Sequence, residues 1–133
     1  MAVSRPDVPA RRPPALLVVA AIEALETLGI VALAALAFAS GPGSAYPQTA
    51  YGLGGTLVVA AVLLGAVAVN TLRLRPWART AGIVWQVVQA LVGAYAFQGE
   101  GAQPVLGLLA IVPAVAALVL LLTRGVRDAL RRV

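Results

Sequence analysis

The run ALLVVAAIEALETLGIVALAALAFA, Ala15 to Ala39, decides how the rest of the chain is read. A segment needs roughly 20 apolar residues to cross a ~30 Å hydrocarbon layer as an α-helix. This one is longer and carries only two charges, Glu23 and Glu26. The reading is a transmembrane helix with one carboxyl a third of the way in and the other near its middle. At that depth an ionised side chain costs about 2.5 to 3.5 kcal/mol on insertion scales, so the pair requires compensation from protein. Their spacing places both on one helix face, with Val19, Thr27 and Ile30 close to the same line. That face is expected to point inward, away from lipid.

Composition supports the same solvent. The chain is 61% hydrophobic and 11% charged, against about a quarter charged in an ordinary soluble domain. Cysteine and histidine are both absent. That removes thiolate and imidazole metal sites, histidine-ligated haem, disulfides and Ser-His or Cys-His catalysis. No cofactor is expected and the chain is read as a non-enzyme.

Outward from the first run, Met1 to Pro14 is rich in arginine and proline and cannot bury a core or sustain a helix, so it is expected to be a disordered basic tail. A basic flank before an apolar run also describes a signal peptide, and Ala37-Phe38-Ala39 fits a cleavage pattern. The run is nevertheless longer than a signal h-region of about 7 to 15 residues and holds two glutamates, which favours a retained span. Ser40 to Tyr51 reads as an uncharged turn-forming loop. The second span is placed at 52–72, with Gly54, Ala61, Gly65 and Ala68 forming a small-residue stripe suited to close helix contact. Asn70 and Thr71 are read as polar residues ending that helix. A basic, aromatic connection follows, with Arg73, Arg75 and Trp77. The third span is placed at 78–97 and the fourth at 103–123. Gly82, Gln86, Gln89 and Gly93 share one face of the third, while Pro113 is expected to bend the fourth. Residues 124–133 form a basic tail, expected to lie on the membrane surface as a short amphipathic helix.

The expected architecture is therefore an all-α membrane protein of four transmembrane helices in one bundle, spanning 15–123. All ten positive charges are arginines, and they fall in the N-terminal tail, around the second connection or in the C-terminal tail. The positive-inside rule then puts both termini in the cytoplasm of a bacterial cell, with the protein in its cytoplasmic membrane. Arginines beside apolar spans are explained by orientation, so no nucleic-acid partner is expected. The expected partners are the lipid bilayer and either further copies of the chain or a larger membrane complex.

Glu23 and Glu26 in span one recur as Gln86 and Gln89 at matched positions in span three. Two tandem helical hairpins would produce this echo, with a chance match as the alternative. At equal depth Gln86 and Gln89 are the natural hydrogen-bond partners of the two carboxyls. Two carboxyls so close in a low dielectric should not both ionise. They form a candidate proton site, or else a structural network that fixes helix register. Arg79 begins the same face of span three and is a candidate counter-charge, with snorkelling to headgroups as the alternative.

The segment RPWARTAGIVWQVVQ, Arg75 to Gln89, with the glutamates of span one and a lysine-free Ala/Val/Leu/Arg composition, resembles the uncharacterised small four-span integral membrane proteins common in high-GC actinobacteria. The resemblance implies location and architecture and no mechanism. In size, span number and first-helix glutamate the chain is also similar to small multidrug resistance exporters. It departs from them in its basic N-tail, its second glutamate and its second and third spans.

Overall fold

The computed structural model describes residues 11–131, and within them every regular element is a helix and no strand occurs. Four long helices, α1 (Pro14–Ser40), α2 (Pro47–Leu72), α3 (Pro76–Tyr95) and α4 (Pro104–Leu122), are followed by a short α5 (Arg124–Arg131). Each long helix starts on a proline, the residue whose fixed φ and missing N–H cost nothing in the first turn. The expected tail over Met1 to Pro14 lies mostly outside the described residues, as do the last two positions of the basic C-terminus.

Among the described residues, three stretches are long and apolar enough to cross a membrane: α1 with the 3-10 turn that extends it to Gly43, α2, and α4. They mark the chain as a membrane protein. α2 begins at Pro47, ahead of the expected Gly52, because the proline can open a helix there. The expected long loop is thereby reduced to the 3-10 turn Gly41–Gly43 and a few extended residues. Between α2 and α3 the chain turns on Leu74, at φ 59°. Leu74 N–H donates to Thr71 O and Arg75 N–H to Asn70 O, the paired bonds that close a helix through a left-handed residue.

The most extensive contacts are α1 with α2 and α3 with α4, two helical hairpins; α1 with α4 and α2 with α3 join them less closely. Small residues set the approach inside each hairpin. A Cβ at Gly54 would lie 2.9 Å from the Phe38 ring, and one at Gly107 would lie 2.8 Å from the Gly93 carbonyl oxygen. The expected stripe on α2 faces α1, with Gly54, Ala61 and Ala68 buried. Large apolar side chains mostly point outward: Leu25, Leu28, Val62, Leu91, Val92 and Leu109 are all exposed.

α5 is amphipathic, but its apolar side is occupied by protein rather than by a membrane surface. Val126 and Leu130 are buried against Leu16, Val19 and Leu121. This cluster seals the end of the molecule where α1 and α3 start and α2 and α4 finish.

Candidate functional site

Among the described residues the fully buried polar side chains are Glu23, Thr71 and Gln86. On α1, Glu23 is 0% exposed and Glu26, one turn later, is half-buried. On α3, Gln86 is fully buried and Gln89 half-buried. α1 and α3 are not close neighbours in the way the hairpin partners are, so long side chains must span the interior between them. Gln86 Nε2 donates to Glu26 Oε2 at 2.9 Å and Gln89 Nε2 to Glu26 Oε1 at 2.8 Å. Gln89 is held on both sides: Nε2 also donates to Ala110 O on α4 at 3.1 Å, and its Oε1 accepts from Trp85 Nε1 at 2.9 Å. Pro113 leaves the neighbouring Leu109 carbonyl without its helical donor.

Glu23 is handled differently. Its carboxyl lies over Gly82, where a Cβ would come within 2.9 Å of Oε1, with Leu121 Cδ1 and Val67 Cγ1 closing the same spot. Thr71 of α2, also 0% exposed, lies beside it. All four long helices therefore meet at this carboxyl. Among the described residues neither Glu23 oxygen has a hydrogen-bond partner, and neither does Thr71 Oγ1 or Gln86 Oε1. The expected glutamine bonds thus form to Glu26 and leave Glu23 without one.

Arg79 forms no ion pair with Glu23 or Glu26 among the described residues. Its Nε donates to Leu121 O at 3.1 Å, one of the carbonyls left open in the last turn of α4. The ion pair found among the described residues is Arg127 with Asp128, at 4.0 Å on the surface. No group of three His, Cys, Asp or Glu side chains that could hold a metal occurs among the described residues.

Two residues gain roles that the sequence reading passed over. Thr71 lies in the last turn of α2, as expected, but it is fully buried beside Glu23; it continues the line Ala61, Leu64, Ala68 along the buried face of α2, a periodicity that could have revealed it. Trp85 orients Gln89, and its four-residue spacing from that glutamine was the available signal. No protein-family model, curated protein or solved structure matches this chain.

Proposed function

We propose that the chain is a four-span integral membrane protein of a bacterial cytoplasmic membrane, with both termini cytoplasmic, acting as a non-enzymatic accessory or scaffold subunit of an oligomer or larger complex. The observation that carries this reading is the Glu26–Gln86–Gln89 network. Its amide donors are spent on fastening α1 to α3 and α3 to α4, which is what a structural polar centre does in a helical membrane protein.

The four-span topology draws support from α3. Its 20 residues are about 30 Å long at 1.5 Å per residue. Its polar face turns inward through Gly82 and Gln86, while Val84, Val88, Leu91 and Val92 lie outside. A helix arranged in this way can meet lipid despite its moderate overall hydropathy. Contacts such as Phe38 with Gly54 and Gly93 with Gly107 fit alternating helix directions. Arg73, Arg75, Arg79 and the arginines of α5 then share one end, which the positive-inside rule makes cytoplasmic. The hairpin packing likewise favours a tandem duplication behind the Glu/Gln echo.

The chain has no cysteine, so single cysteines can report topology without background. At Ser44 and Gln98 they should react with an impermeant maleimide on intact cells, and at Arg75 and Arg131 only after lysis. Co-purification in mild detergent should then bring down a stoichiometric partner or further copies.

A second reading, a proton-coupled exporter of small cations using Glu23 and Glu26, is favoured by the unpartnered Glu23 carboxyl. Proteoliposomes that move a quaternary ammonium dye in exchange for protons running down an imposed gradient in the opposite direction, and lose this in Glu23→Gln, would establish it in place of the accessory role.

A further inference from the structure

The two carboxyls differ in what surrounds them. Glu26 accepts one N–H on each oxygen, the arrangement that suits an ionised carboxylate. It also fixes the orientation of the Gln86 amide, whose nitrogen must face Glu26 and whose oxygen must face away. Of the five buried side-chain atoms without a partner among the described residues, four are Glu23 Oε1, Glu23 Oε2, Thr71 Oγ1 and Gln86 Oε1. Gln86 stands one turn beyond Gly82, against which Glu23 rests, and so shares that face of α3.

We propose that Glu23 is a proton-binding site: it carries one proton as a neutral carboxylic acid, donates its O–H to Gln86 Oε1 and accepts the Thr71 O–H at its other oxygen, while Glu26 is the ionised member of the pair. An ionised Glu23 could only accept, which would set it against another acceptor in Gln86 and leave that oxygen orphaned. One proton supplies the donor that Gln86 Oε1 lacks; the Thr71 O–H, which needs no such proton, serves the other Glu23 oxygen, and the two bonds together remove the penalty of burying these atoms unpaired. It also avoids a second negative charge one turn from Glu26.

The charged groups around the site agree. On α1 the neighbour is Glu26; on α3 it is Arg79, which keeps its charge but is turned to Leu121 O and forms no ion pair with Glu23 among the described residues; Val67 and Thr71 of α2 and Leu121 of α4 bring no charge. A metal ion would need a shell of about six oxygens for magnesium or calcium, and the walls here are the methyl groups of Val67 and Leu121. Glu23 is covered by protein rather than lipid, so the inference is independent of the accessory-subunit reading.

The chain contains only three glutamates, Glu23, Glu26 and Glu100, so carbon-13 glutamate labelling gives three side-chain carboxyl signals in solid-state NMR of the protein in bilayers. At neutral pH one signal should be that of a neutral acid, with through-space correlations to Thr71 and Gly82, and the other two should be ionised. Glu23→Gln should abolish the neutral signal and keep the other two, and Thr71→Val should shift it alone. Three ionised signals, a neutral signal correlated with Gln89, or a neutral signal lost in Glu26→Gln would each overturn the assignment. If Glu23→Gln does not fold, the correlations in the unmodified protein decide between these outcomes.

Discussion

Gln89 holds Glu26 across the interior at 2.8 Å while its own oxygen is pinned by Trp85 at 2.9 Å. The bond between α3 and α1 is thus made by a side chain that cannot rotate without losing a second partner. Glu26→Ala removes the acceptor for two amide donors and should cost about 1 to 3 kcal/mol. Glu26→Gln should cost less, under about 1 kcal/mol, because the introduced amide keeps an oxygen that accepts from Gln89 Nε2 while Gln86 stays oriented as it is. Reversible unfolding in mixed detergent checks the pair, with the difference between Ala and Gln as the quantity that matters.

Gly82 is the position at which α3 makes room for Glu23. Gly82→Ala would place a methyl group 2.9 Å from Glu23 Oε1 and 3.3 Å from Leu121 Cδ1. Overpacking of this kind costs about 1 to 3 kcal/mol. Glu23→Ala in the same chain should recover most of it, since the clash and the side chain that causes it disappear together. A double-mutant cycle read by thermal denaturation should show the two changes to be strongly non-additive.

The α3–α4 hairpin rests on Gly93 and Gly107. A Cβ at Gly107 would meet the Phe97 ring at 2.5 Å and the Gly93 carbonyl at 2.8 Å, and backbone cannot yield as a side chain can. Gly107→Ala should therefore destabilise by about 1 to 3 kcal/mol. Gly29→Ala and Gly55→Ala meet nothing within 4 Å and should be neutral or stabilise, by up to about 1 kcal/mol through helix propensity. Melting temperatures of the three variants in one detergent test the ranking.

The apolar runs behind α1, α2 and α4 are legible because in lipid one variable, hydropathy, outweighs the others. α3 is less legible, since Arg79, Gln86 and Gln89 lower its average and only their common face shows that they are inward. That Gln86 and Gln89 reach α1 follows from their matching Glu23 and Glu26 in depth. Which carboxyl they choose does not follow, because it depends on helix rotation: Gly82 places its α-carbon where Glu23 lies, and the glutamines of the next turns meet Glu26 instead. Arg79 illustrates the same limit. Its height in the sequence suggests a reach to Glu23, but the end of α4, with an open carbonyl at Leu121, lies nearer. Thr71 was obscured by its closeness to the helix end, although it shares the buried periodicity of Ala61, Leu64 and Ala68.

α5 is the remaining element whose attachment can be tested directly. Leu130 is 1% exposed and packs with Val126 onto Leu16, Val19 and Leu121, so Leu130→Ala should cost about 2 to 5 kcal/mol of that contact. The contact joins a short helix to the end of α1 and α4, and α5 has little else to hold it beyond weak contacts with α3. The loss should therefore appear as local detachment before global unfolding. Trypsin cleavage at Arg127, which is half-buried in the docked helix, should accelerate strongly in Leu130→Ala while the transmembrane region melts close to its original temperature. Equal cleavage rates in the two proteins would mean that α5 is held by something other than this cluster.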